Sequence, residues 1–111
     1  MNMKRVLEHV VFFEHVGPHG EQLPMDAPVP VWDVAFSNDV QQRYLFVADG
    51  VNMKVRILQR DTLVEVGSFG SGGRYPGQFL AVDSVAIDAT GNLYTGETHH
   101  GKRVQKFVAS R

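Results

Sequence analysis

What most narrows the folds open to this chain is that it says nearly the same thing twice. Val34-Ala35-Phe36 returns as Val85-Ala86-Ile87, and Leu45-Phe46-Val47-Ala48-Asp49 returns as Leu93-Tyr94-Thr95-Gly96-Glu97. Lys54-Val55 comes back as Arg103-Val104, and each return falls about 50 residues later. A repeat of that length marks a unit that cannot bury its apolar face alone and must stack on a neighbour. The spacing drifts by a few residues between matches, and the drift falls in turns, where insertions are tolerated.

Each copy reads as a run of short strands. Residues 31–37 (VWDVAFS) place Trp32, Val34 and Phe36 at period two, the pattern of a strand with one covered face. A polar turn over 38–43 leads to a second strand, 44–48, closed by Asp49-Gly50, which favours a tight turn. Residues 54–59 (KVRILQ) make a third strand, Arg60-Asp61-Thr62 turns the chain, and 63–69 (LVEVGSF) make a fourth. After a glycine-rich loop over 70–80 the pattern restarts, with strands expected at 83–88, 92–96 and 103–108 and no fourth. Upstream, residues 5–16 are dense in Val and Phe and read as strand, with helix as the alternative because Leu7, Val10, Val11 and Glu14 also suit a helical spacing. Residues 17–30 hold four prolines and two glycines, which suits neither helix nor central strand, so they read as a long connection. The expected fold class is all-β, built from four-stranded antiparallel meanders of the kind found in β-propeller blades. A blade spans 31–69, and a second spans 83–108 without its outer strand.

Composition excludes several functions. Eleven basic residues stand against twelve acidic ones, so no basic face for nucleic acid or an anionic membrane is expected. The chain has no cysteine, so it offers no disulfide framework and no thiolate metal site. Glu8 and His9 interrupt the apolar run near the start, which argues against a signal peptide. No stretch approaches the roughly 20 apolar residues of a membrane span. A soluble protein is expected, with the cytoplasm slightly favoured.

The segment PGQF…SVAIDATGNLYTGE…KRVQKF resembles the NHL repeat. Pro76, Gly77, Gln78, Phe79, Ala86, Asp88, Gly91, Asn92, Tyr94, Arg103, Val104, Gln105 and Phe107 match its pattern. The first copy carries a weaker match at Ala35, Phe46, Val47, Asp49, Asn52, Lys54 and Val55. More narrowly, the chain looks like part of bacterial six-bladed NHL-type propellers. Those are relatives of peptidyl-hydroxyglycine amidating lyases and, more distantly, of gluconolactonase-type propellers. The matched positions suit scaffold roles. Asp88 is expected to hold its turn, Gly91 to take a positive φ, Asp49 and Glu97 to pair with Lys54 and Arg103, and Val34, Phe36, Val85 and Ile87 to fill the space between blades. Trp32, too, reads as packing between blades.

Propellers close with four to eight blades, and even four blades of about 40 residues need roughly 160. The strands here make about two blades, with the N-terminal strand able to complete a blade of its own or of a neighbouring chain. Either three copies assemble into a six-bladed ring, the favoured homo-oligomer, or the chain is a fragment of a longer propeller that survives by associating.

For chemistry, the loops between blades and the turns between second and third strands should open on one shared face. It would carry His19, Arg74, Tyr75, Asp49, Asn52, Glu97, His99 and His100 as candidate ligand-binding residues. Adjacent histidines rarely point at one ion, and no third ligand has a diagnostic spacing. Lyases of the resembled group place a zinc-ligating His where this chain has Asp83 and, in the first copy, Trp32. That zinc chemistry is therefore not expected, although Asp83 is a weak candidate for a hard cation such as calcium. The functional expectation is a non-enzymatic binding or interaction module needing no cofactor, with a protein, peptide or small molecule as partner. The alternative is a metal-dependent hydrolase or lyase whose site forms in the channel of the assembled ring.

Overall fold

The period-two alternation becomes two antiparallel meanders. The structure, a computed structural model, describes residues 31–98 and 100–109; the expected strand at 5–16 and the connection at 17–30 lie outside the described residues. The first sheet runs in chain order through β1 (Val31–Phe36), β2 (Tyr44–Asp49), β3 (Lys54–Gln59) and β4 (Glu65–Phe69). The second runs through β5 (Val82–Ile87), β6 (Leu93–Glu97) and β7 (Arg103–Phe107). The all-β fold class is as expected, and six of the seven strands begin and end within a residue or so of their expected limits.

β4 is the exception, starting at Glu65 rather than at residue 63. Leu63 adopts a φ of 60° and donates its N–H to the Gln59 carbonyl at 2.8 Å, so the chain is still turning there. Left-handed backbone is unfavourable for a residue with a Cβ, and a strand cannot begin in it.

The repeat survives as hydrogen-bond register. Ala48 faces Val55 and Leu45 faces Leu58 in the first sheet; Gly96 faces Val104 and Leu93 faces Phe107 in the second. Both copies carry a bulge at the same place, between Val31 and Asp33 and between Val82 and Ser84. Both also end the turn before the third strand on a left-handed residue, Met53 (58°) and Lys102 (52°).

The second sheet lies on one face of the first, with β5 against β1 and β2. Ala48 and Val55 from below and Val82, Val85 and Leu93 from above form the core, joined by Phe79 from the loop that links the sheets. Phe79 is fully buried, and its ring stands 6.2 Å from Phe69 of β4 and 5.9 Å from Phe107 of β7. Two polar contacts pin the seam. Asp33 Oδ2 accepts the Val85 N–H at 2.9 Å, and Asn38 Nδ2 donates to the Ala89 carbonyl at 2.7 Å. Asn38 and Ala89 hold matching turn positions in the two copies, so the sheets stack as successive units facing the same way.

That stacking corrects two expectations. Val85 and Ile87 do fill the space between sheets, but Val34 and Phe36 point to the far side of the first sheet and stay 45% and 49% exposed. Successive side chains alternate faces, and the second sheet covers the Ala35 side. Trp32 sits in the bulge and is thrown out of the pleat. Its indole lies over Gly50 in the turn of its own sheet, where a Cβ would overlap it.

Thr95 stands where the first copy has Val47, deep in the core at 1% exposure, and its Oγ1 has no hydrogen-bond partner. An unmet buried hydroxyl carries a desolvation penalty of about 1–3 kcal/mol, which the isosteric valine avoids. Thr95→Val should therefore raise the urea midpoint at unchanged slope, by about 1 kcal/mol of stability. An equal or lower midpoint would mean that the hydroxyl is satisfied.

Candidate functional site

The β2–β3 turn, the β6–β7 turn, the loop over residues 70–81 and the two bulges gather at one end of the sheets. Gly70 lies against the Met53 carbonyl, Arg74 Nη1 donates to the His100 carbonyl at 2.6 Å, and Thr98 Oγ1 donates to Asp83 Oδ2 at 2.8 Å. These contacts bring Asp49, Asn52, Arg74, Tyr75, Glu97 and His100 of the expected face to one end, with Asp83 in the bulge beside them. His19 and His99 lie outside the described residues.

The carboxylates at that end are committed to the scaffold. Asp49 is fully buried and accepts the Asn52 N–H and amide side chain, each at 2.9 Å, and Arg56 Nε at 2.7 Å. The partner is thus Arg56 and not Lys54. Lys54 faces Asp49 in register, but Arg56, two residues along β3 on the same face, has a fork that spans Asp49 and Glu65 together, with 2.9 Å to the latter.

Glu97 and Arg103 do pair, at 2.5 Å, with the Glu97 side chain wholly buried. Glu97 also accepts the Leu80 N–H and, at 3.3 Å, Gln105 Nε2. Arg103 continues outward, donating to the carbonyls of Arg74 (2.5 Å), Gly73 (3.1 Å) and Gln78. Gln105 closes the set, accepting the Gly77 N–H at 2.9 Å and donating to the Gln78 carbonyl at 2.8 Å. Glu97, Arg103 and Gln105 together hold the loop whose Phe79 plugs the core. Sequence reading missed the clamp, although one signal was present: period two puts Arg103 and Gln105 on the same side as Phe107, which packs against the core, and inward polar groups need partners.

The remaining candidates differ in what they offer. The Arg74 guanidinium is engaged by the His100 and Gly101 carbonyls, at 2.6 and 3.5 Å. Tyr75 projects from the loop at 78% exposure, and His100 is exposed. Asp83, half-buried in its bulge, borders a shallow groove on the outer face of the second sheet, with Ser84, Gly96, Thr98, Lys102 and Val104. Among the described residues no group of three or more His, Asp or Glu side chains converges as a metal cage. None of their helices could cross a membrane either, because the described residues contain only strands, turns and loops.

At the opposite end, Asp88 organises the β5–β6 turn. It accepts the N–H groups of Asn92 and Thr90 at 3.0 Å, the Thr90 hydroxyl at 2.9 Å and the Tyr94 hydroxyl at 2.9 Å, while Gly91 takes a φ of 89°. These donors, the Asn92 backbone first, hold its pKa far below the ordinary 3.8. A carboxyl acidified by folding contributes stability that is present above its ordinary pKa and lost as pH falls below it.

No protein-family model matches the chain, and no curated protein matches it.

Two outcomes are expected. Arg103→Ala leaves Glu97 buried without its cation and the Gly73 and Arg74 carbonyls without their donor, and should cost about 3 kcal/mol in urea unfolding, with Arg103→Lys recovering part of it. A loss below about 0.5 kcal/mol, the size of an exposed pair, would show that the clamp does not hold the loop. On acidification below pH ~4, an Asp88→Asn chain should lose less stability than the parent. Parallel curves would remove Asp88 as a source of acid sensitivity.

Proposed function

We propose that the chain is a pair of successive NHL-type propeller blades, the second completed by another strand. In this reading it acts as a non-enzymatic binding module, assembling with copies of itself and offering its loop end to a protein, peptide or small ligand. The observation that carries this is the commitment of the acidic residues at that end. Asp49 and Glu97 are wholly engaged by Arg56, Arg103 and backbone N–H groups, which suits a scaffold and leaves neither carboxylate free to act as a general acid or base.

The resemblance also gains physical sense. The Arg103 and Gln105 of the repeat motif clamp the PGQF loop of the same copy, and the two copies share strand register, bulge position and turn geometry. These are fold-bearing features, and the functional step rests on the site residues rather than on the fold. Tyr75, Asp83 and His100 are the groups left facing outward, and an exposed aromatic beside polar side chains is a usual element of a recognition surface. Three copies of two blades make the favoured ring of six, within the range that propellers close.

Light scattering after size exclusion tests the assembly, and metal analysis of the same peak tests the module against a metal-dependent hydrolase or lyase. The expected result is a mass of three chains with no stoichiometric metal. A divalent ion bound at one per chain or one per ring, and removed with loss of a hydrolytic activity, would overturn the binding-module reading.

A further inference from the structure

The two copies finish their loop-end corner differently. In the first, the bulge residue is Trp32, whose indole lies over Gly50, and Met53, the left-handed residue before β3, lies against Gly72 of the connecting loop. The matching positions of the second copy are Asp83 in the bulge, Thr98 after β6 and Lys102 before β7. An indole on a glycine gives way to a carboxylate that accepts the Thr98 hydroxyl at 2.8 Å, and a thioether gives way to an ammonium. The carboxylate fills far less space than the indole, and the corner opens as a groove of about 480 Å³. That size lies within the roughly 300–1,000 Å³ of small-molecule sites. Asp83 and Lys102 both line the groove without pairing. Among the described residues Asp83 has only Thr98 as a partner, and the Lys102 ammonium has none. Stacking does not close such a corner, since Trp32 is still 39% exposed although the second sheet packs on its own.

We propose that this groove binds a free α-amino acid with an aromatic side chain, its ammonium on Asp83 and its carboxylate on Lys102. The inference rests on the reading of the loop end as a ligand-binding face and names the ligand class. A free amino acid carries both charges on one carbon, so it answers two opposite, unpaired charges in one groove. An inner residue of a peptide carries neither charge, and a chain terminus carries one. Asp83 keeps Oδ1 free to accept, because Thr98 occupies Oδ2, and Lys102 has three N–H donors. These charge-assisted bonds would orient the ligand, and its side chain would cover Gly96 and the exposed Val104. The indole seated in the first copy's corner shows that an aromatic ring fits at this position of the fold. A divalent cation suits the groove less well. Asp83 and Thr98 offer one carboxylate and one hydroxyl against the roughly six to eight oxygens that calcium takes, and the Lys102 ammonium would repel it.

Titration of the isotopically labelled full chain, followed by amide chemical shifts, tests this with three ligands. L-Phenylalanine should move the Gly96, Thr98, Lys102 and Val104 amides saturably, with a Kd of about 1 mM because both ion pairs are open to solvent. N-acetyl-L-phenylalanine lacks the ammonium and L-phenylalaninamide lacks the carboxylate, and each should bind about fivefold more weakly, the upper end for an exposed pair. Asp83→Asn still accepts the Thr98 hydroxyl. It should erase the preference over the N-acetyl form and keep the preference over the amide. Lys102→Asn, tolerated at a φ of 52°, should do the reverse. A variant that merely loosens the fold would not give this crossed loss, and if either variant unfolds, the three ligands on the parent chain still decide. No saturable shift at these amides by about 20 mM, well above that Kd, or equal binding of all three ligands overturns the proposal. Shifts confined to the Tyr75 and His100 amides also overturn it, while leaving the loop end a binding face. The titration reads the groove and not the mass or metal content of the chain, so its failure and that of the module reading are told apart.

Discussion

The ion pair between Glu97 and Arg103 is the contact on which the rest of this structure depends. Glu97 is buried at the end of β6, where an unpaired carboxylate would be strongly unfavourable. Arg103 neutralises it and, with Gln105, binds the carbonyls and N–H groups of residues 73–80, a segment with no regular structure to satisfy them. The loop is thereby fixed closely enough to place Phe79 between Phe69 of one sheet and Phe107 of the other. A charge pair that would add little on the surface here decides where an aromatic plug goes, and the plug joins the two sheets.

The stacking has a direction. Asp33 reaches from β1 to the Val85 N–H, and Asn38 in the first turn of one copy bonds Ala89 in the first turn of the next, so equivalent regions of the two copies meet. An arrangement in which one unit packs on the next in the same sense leaves the outer face of the second sheet exposed, with Val104 at 75%. The proposed ring is the closed form of this arrangement, and an exposed apolar sheet face is the condition that would drive it.

Much of this was legible in the sequence. The double occurrence of VAF/VAI and of the LFVAD-like run announced two meanders, and Asp88-Ala-Thr-Gly91 announced its turn, because both depend on residues near one another in the chain. What could not be read depends on contacts between distant residues. Period two separates Val34 from Ala35 but does not say which is covered; the position of the second sheet decides that. Asp49 was given Lys54, its register neighbour, yet Arg56 wins by reaching Glu65 as well. Arg103 and Gln105 were recognised as motif residues, while their partners lie some 25 to 30 residues earlier, in a loop whose path no local pattern describes. Trp32 escaped its expected place because a bulge, invisible in the alternation, turned it aside.

The central claim is that a loop segment without secondary structure is as firmly held as the strands it joins. Native-state amide exchange of Leu80 tests it most directly, because its N–H is donated to the buried Glu97 carboxylate. The account predicts that this amide exchanges as slowly as the central amides of β6, opening only when the whole domain unfolds. Exchange at the rate of an exposed turn amide, with β6 still protected, would contradict it: the sheets would then be stacked without the clamp.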